Sequence, residues 1–190
     1  MTELGADEAM AKLPALLAGE GWIDERALLE AKFSVSDKEP SSIFYALNDV
    51  VVARGAIARV VYVEASIDDE PLTTYRADGV IVATATGSTG YSLAAGSPIL
   101  HPQAKEFLLL PILPHLSSAY TVVLPSTAVV KLQINTVHQA ILSIDGHINL
   151  TLTNGAVVTV KHSSNRARFL RIHSETSFYG SLEQRLRGKQ

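Results

Sequence analysis

The sequence contains no cysteine among its 190 residues. That excludes disulfides, a thiolate nucleophile and any zinc site built on sulfur. Long apolar runs are missing too. No stretch approaches the roughly 18 uncharged residues of a membrane helix, and the opening residues do not read as a signal peptide. Positive charge is scarce: 16 Lys and Arg against 19 Asp and Glu leave a net charge of -3. There is therefore no electrostatic case for nucleic acid or an anionic membrane as partner. With 47% hydrophobic and 18% charged residues, the composition is that of a folded protein rather than a disordered one. The expectation is a cytoplasmic chain of one domain, or one domain with an appendage, able to bury a substantial core.

Several catalytic signatures are absent as well. The six His residues show neither i, i+4 spacing nor strand alternation with an acid, so no protein-ligated metal is expected. Neither G-x-x-x-x-G-K-[ST] nor G-x-G-x-x-G occurs, which removes both common phosphate loops. "ATGSTGYS" is not a nucleophile elbow, because Ser88 is followed by Thr89 and then Gly90.

What remains is a series of short β-branched and aromatic segments. An opening helix is expected, capped by Asp7, with Met10, Leu13, Leu16 and Leu17 on one face. Pro14 kinks or shortens it, and Gly19 ends it. After Trp22 come "FYALNDVVVAR", "ARVVYVEASI", "PLTTYRA" and "GVIVATA", each bounded by turn formers. Hairpin turns are expected at Asp68-Asp69, at Asp145-Gly146 and at Asn154-Gly155. The last is the strongest, since both its residues tolerate positive φ. Ser88 or Thr89 is expected to cap a short helix that Gly96 stops. Residues 181–187 read as a final helix, and 36–42, "SDKEPSS", as an exposed loop. About ten strand candidates, arranged as hairpins rather than βαβ units, against three short helices predict an all-β fold of two antiparallel layers.

Three acidic positions stand out. Asn48-Asp49 interrupts an apolar run between Leu47 and Val50, where polar groups need partners if buried. A bulge or a strand end explains that pair equally well. Asp78-Gly79 and Asp145-Gly146 read first as turns. The stretch 78–98, "DGVIVATATGSTGYSLAAGSP", sets a lone acid and a short buried strand before a cluster of Gly, Ser and Thr. Such a cluster brings backbone amides close to a ligand, or is an ordinary strand-to-helix loop. Arg166 and Arg168 share a strand face and read as solvated rather than phosphate-binding.

Together, "ALNDVV" at 46–51, "LTTYRADGVIVATATGSTGYSLAAGSPILHP" at 72–102, "LLLPILPHLSS" at 108–118 and "LSIDGH" at 142–147 resemble the NAD kinase family in order and spacing. The opening "TELGADEAMAKLPALLAGEGWIDERALLEAKF" resembles the link that follows that family's N-terminal domain. The resemblance covers nearly the whole chain. The family's Gly-Gly-Asp-Gly motif, which holds phosphates and supplies a catalytic acid, is absent from these 190 residues. The chain thus resembles the C-terminal domain alone, an all-β sandwich of packed sheets, with 1–21 as the link and 176–190 as a tail helix.

The resemblance implies a kinase that moves the γ-phosphoryl of ATP, or of polyphosphate, to the 2′-hydroxyl of the adenosine ribose of NAD, giving NADP. In the complete enzyme a divalent metal such as Mg accompanies the donor, and this chain alone is expected to bind none. Asn48 and Asp49 match the family's Asn-Glu/Asp pair that holds the adenosine part of NAD, with Asp here one methylene shorter than the commoner Glu. Thr86, Ser88, Thr89, Gly90 and Tyr91 match the loop lining the NAD site, with Gly90 where Ala is usual. Asp78 matches an acid that meets the nicotinamide end, often across a subunit boundary. Asp145 matches a further acid near the site, open to a role in catalysis or ribose binding. The fragment is expected to lack kinase activity by itself and to self-associate as a homo-oligomer, with apolar Phe178, Tyr179, Leu182 and Leu186 in its tail. Rival readings are a non-catalytic NAD(H)-binding module, the related lipid-kinase group, and a purely structural role in assembly.

Overall fold

A computed structural model describes residues 5–34, 42–55, 59–115, 119–172 and 178–183. The expected loop at 36–42 lies outside them except for Ser42, and so does most of the expected tail helix. The elements are α1 (Ala6–Leu17), β1 (Trp22–Ser34), β2 (Ser42–Ala46), β3 (Asp49–Arg54), β4 (Val61–Ile67), β5 (Glu70–Ala77) and β6 (Gly79–Ala83). A 3-10 turn at Gly87–Thr89 leads to α2 (Tyr91–Ala94). There follow β7 (Phe107–Ile112), β8 (Val122–Leu124), β9 (Val129–Ile134), β10 (Ala140–Ile144), β11 (Ile148–Leu152), β12 (Val157–Arg171) and a 3-10 turn at Tyr179–Ser181.

The described residues fall into two compact units, one drawn from Met1–Glu25 and Ala167–Gln190 and the other from Arg26–Arg166. In the smaller unit, Gly5 rather than Asp7 stands at the N-cap of α1, and Asp7 lies in the first turn. Gly19 takes φ +86 beyond the helix end, the left-handed conformation that lets a helix close its last carbonyls. Arg171 donates from Nε and Nη2 to Oδ2 of Asp24, both at 3.1 Å, and the pair is buried. Its guanidinium also lies over the Phe169 ring at 5.3 Å.

The larger unit holds two six-stranded sheets, ordered β2-β1-β12-β9-β4-β5 and β11-β10-β3-β6-β7-β8. Their registered pairs are antiparallel. Between them lies one core, to which the first sheet gives Leu29, Val63, Tyr75 and Leu132 and the second gives Val50, Val52, Val82 and Leu142. The expectation of a two-layered antiparallel β fold holds. The second sheet is apolar on both faces: Val51, Ile81, Leu108 and Leu110 form a further cluster, packed against by Ala95 and Leu100. This accounts for the unbroken apolar runs in β3, β6 and β7, where alternation would mark a sheet with one wet face.

Two of the three expected hairpins form. Asp68 and Asp69 take φ 51 and 66 between β4 and β5, and Asp145 and Gly146 take φ 50 and 72 between β10 and β11. The third does not. Gly155 has φ +82, as a turn requires, but β11 pairs with β10 in one sheet while β12 pairs with β9 in the other. The amide of Gly155 instead donates to the carbonyl of Ile134. Asn154-Gly155 is thus a corner at which the chain changes sheets. "FYALNDVVVAR" likewise splits: β2 belongs to one sheet and β3 to the other, with Leu47 and Asn48 as the crossing.

Candidate functional site

The crossing from β2 to β3 is where sequence signal and geometry meet. A chain leaving one sheet for another loses its ladder partners, so its backbone groups need others. Here the N–H groups of three successive residues converge on one carboxylate. Leu47 N donates to Asp145 Oδ2 at 2.8 Å, and Asn48 N and Asp49 N donate to Oδ1 at 2.7 and 3.0 Å. Asp145 N in turn donates to the Asp49 carbonyl at 3.0 Å. The carbonyls of the same corner turn to Thr84, whose Oγ1 donates to Leu47 O at 2.6 Å and whose N donates to Asn48 O at 2.9 Å.

Thr84 also ties in the glycine-rich stretch, since its Oγ1 accepts from Gly87 N at 3.0 Å. Gly87 is pressed onto the corner: a Cβ there would lie 2.1 Å from Asn48 O. The sequence places small residues here for close approach, and the closest approach in the structure is to the protein's own backbone. Ser88 is fully buried; its Oγ donates to Ala85 O at 2.7 Å and accepts from Leu100 N at 2.9 Å. It does not cap α2. Gly90 holds the N-cap position without a side-chain bond, and neither Ser88 nor Thr89 does so. Thr89 and Gly90 are exposed, Tyr91 is half exposed, and the Oγ1 of Thr86 is a buried hydroxyl without a hydrogen-bond partner.

Asp49 opens β3 opposite Ala83, the last residue of β6, and is only 7% exposed. Among the described residues no hydrogen bond or ion pair reaches its carboxylate. Burial, and then the charge of Asp145, raise its pKa from 3.8 to about 6. A buried acceptor without a donor is the kind of group that a ligand satisfies.

Asp78 lies elsewhere. It precedes β6, whereas Thr84 follows it; at about 3.3 Å per residue the six steps between them span about 20 Å. Asp78 is the single residue at which the chain leaves β5 in one sheet for β6 in the other. Arg54 Nη2 stands 3.0 Å from its Oδ2, and His115 Nε2 stands 3.7 Å from its Oδ1. The structure therefore gathers Asn48, Asp49, Asp145, Thr86 and Ser88 at one end of the β3–β6 pair, and leaves Asp78 at the other. Sequence reasoning missed Thr84, Arg54 and His115. A hydroxyl after a strand and an Arg at a strand end carry no local mark of the partners that they meet.

A metal accompanying a phosphoryl donor does not fit these residues. Among the described residues no three His, Asp or Glu side chains come together, and both oxygens of Asp145 already face backbone N–H groups.

Comparisons with known proteins agree on one family. A family model described as "ATP-NAD kinase C-terminal domain" matches residues 47–172. An NAD kinase of Dehalococcoides mccartyi is 50% identical over 188 residues, covering 99% of this chain and 66% of its own. One from Chloroflexus aurantiacus is 44% identical, covering 98% and 67%. The crystal structure of a yeast NADH kinase complexed with NADH superposes with TM-score 0.84 at 28% identity, over 93% of this chain and 52% of that one. An NAD kinase from Archaeoglobus fulgidus in complex with ATP gives TM-score 0.75 at 25% identity, over 95% and 66%. The chain spans about two thirds of the length of the curated relatives that it matches. The fold, the 47–172 match and these identities agree: the chain belongs to the NAD kinase family and corresponds to its C-terminal domain.

Proposed function

We propose that these 190 residues are the NAD-binding half of an enzyme that transfers a phosphoryl group from ATP or polyphosphate to the 2′-hydroxyl of the adenosine ribose of NAD. The observation that carries this reading is the Asn48–Asp49 corner. Its buried carboxylate lacks a donor among the described residues, and adjacent ribose hydroxyls supply two, which one carboxylate can accept together. The unpartnered Thr86 hydroxyl, the half-exposed Tyr91 ring and the exposed Thr89 and Gly90 lie along the loop that continues from the corner. They line the nucleotide, while Ser88, its hydroxyl directed to Ala85 and Leu100, holds that loop in shape. Relatives and structural neighbours named as NAD and NADH kinases, one complexed with NADH and one with ATP, support the same substrates.

Asp78 meets the nicotinamide end of a dinucleotide held mainly by another copy of the chain, and the roughly 20 Å of strand between it and Thr84, which bonds the Asn48–Asp49 corner, supports that division of labour. This makes the working unit a homo-oligomer. Residues 1–21 serve as the link to an N-terminal domain and 176–190 as a tail, in a cytoplasmic enzyme. The second reading, an NAD(H)-binding module without catalysis, is favoured for the chain by itself because Gly-Gly-Asp-Gly is absent from its sequence. Phosphoryl transfer depends on positioning and on charge stabilisation around the donor. Calorimetric titration with NAD beside a coupled NADP assay separates the two. Binding with no NADP formed is the expected result, and steady enzyme-dependent NADP formation would overturn the assignment of the donor side to a separate domain.

A further inference from the structure

Resting on the nucleotide reading above, we propose that Asp145 is a positioning residue: its carboxylate builds the corner that presents Asn48 and Asp49 to NAD and itself touches no substrate. An ionised carboxylate offers about four acceptor sites, and three are filled by the N–H groups of Leu47, Asn48 and Asp49 at 2.7–3.0 Å. Leu47 and Asn48 lie between the strands where the chain passes from one sheet to the other, and Asp49 is the first residue of β3, at the end of its ladder. Asn at 145 would offer one oxygen and would turn an N–H₂ toward at least one of the donors. The backbone at Asp145, φ 50, is one that Asn or Gly usually occupies, so local conformation alone does not call for a carboxylate. The converging amides do.

The placement also has an electrostatic consequence that a neutral strut would lack. Asp145 adds negative charge beside Asp49 and, after burial, helps hold that carboxyl protonated to higher pH. The groups facing Asp49 can be named from each side. The β10–β11 turn brings Asp145, with His147 Nδ1 3.4 Å from the Asp145 carbonyl. Strand β6 brings the apolar Ala83 opposite it, and the following loop brings Thr84, whose N donates to the neighbouring Asn48 carbonyl. Removing the charge at 145 should therefore lower the pH at which Asp49 ionises.

The test titrates NAD into the chain and into Asp145→Asn between pH 5 and 8, and records amide hydrogen exchange without ligand. The expected result is at least tenfold weaker NAD, at least tenfold faster exchange at Leu47, Asn48 and Asp49, and a lower pH midpoint of affinity in the variant. If the variant loses NAD while those three amides stay protected and the midpoint stays put, Asp145 contacts the nucleotide and the inference is wrong. Unchanged affinity overturns it equally. A measurement on the unaltered chain guards against a variant that fails to fold. The carboxyl carbon resonance of Asp49 should move on NAD addition and that of Asp145 should stay; a shift at Asp145 as large as at Asp49 overturns the proposal. Failure of the nucleotide reading looks different, since the unaltered chain would then not bind NAD, or Asp49→Ala would bind it as tightly.

Discussion

The carbonyl oxygen of Asn48 occupies the space that a side chain on Gly87 would need, with an added Cβ falling 2.1 Å from that oxygen and 2.6 Å from its carbon. The obstacle is backbone, not the end of a flexible side chain, so it cannot swing aside. Gly87→Ala must push the glycine-rich loop off the corner or displace Asn48. Overpacking of this kind costs about 1–3 kcal/mol. The expected outcome is a lower Tm together with weaker NAD binding, measured by calorimetry on the same preparation. A variant with parental Tm and affinity would show that the loop has slack here.

Asp49 should oppose stability at neutral pH. Its folded pKa, about 6, lies above the ordinary 3.8. The folded state thus binds a proton more readily than the unfolded one, and the cost of the buried charge is fully present above about pH 6. It fades as pH falls toward 4, where both states are protonated. Asp49→Asn is expected to raise Tm at pH 8, with the gain vanishing near pH 4, while weakening NAD. A gain independent of pH would mean that the ionised carboxylate is not what the fold resists.

The parts of this fold that were legible were local. "GVIVA" reads as a short buried strand from its side chains alone, and Asp68-Asp69 and Asp145-Gly146 turn as their conformational tolerance dictates; that β3, β6 and β7 are buried on both faces came only with the structure. Asn154-Gly155 misled because a two-residue turn specifies that the chain reverses, not which sheet receives the next strand. The site divides in the same way. Asn48-Asp49 announced itself as polar residues in an apolar run, whereas the Asp145 carboxylate reaches back 98 residues to Leu47, a pairing that no local pattern encodes.

The buried pair of Asp24 and Arg171 anchors the smaller unit. Asp24 is 2% exposed, and Arg171 donates to it twice. Removing Arg171 takes two charge-assisted hydrogen bonds from a buried carboxylate, and breaking such a buried pair costs about 3 kcal/mol or more. Arg171→Met is therefore expected to lower Tm by roughly 5–10 °C without changing NAD affinity, since neither residue belongs to the Asn48–Asp49 corner. An equal Tm, or a loss of NAD binding at unchanged Tm, would contradict that separation.

At the other end of β6, one oxygen of Asp78 is held by Arg54 at 3.0 Å, and the other has His115 no nearer than 3.7 Å. The second oxygen remains able to accept from a carboxamide N–H₂, and its charge repels a carboxylate in that place. Asp78→Asn is expected to erode the preference for NAD over its nicotinic-acid analogue, read as the ratio of their dissociation constants. The same ratio before and after the change would remove Asp78 from the nucleotide site.

The central claim is that the corner opening β3 is where this chain holds NAD, and the most direct measurement is a calorimetric titration of NAD into the parent chain and into Asp49→Ala at pH 8. Saturable binding by the parent is predicted, weakened in the variant by roughly 1–3 kcal/mol, the cost of losing hydrogen bonds to a charged group. No binding by the parent, or the same affinity in both, would contradict the account.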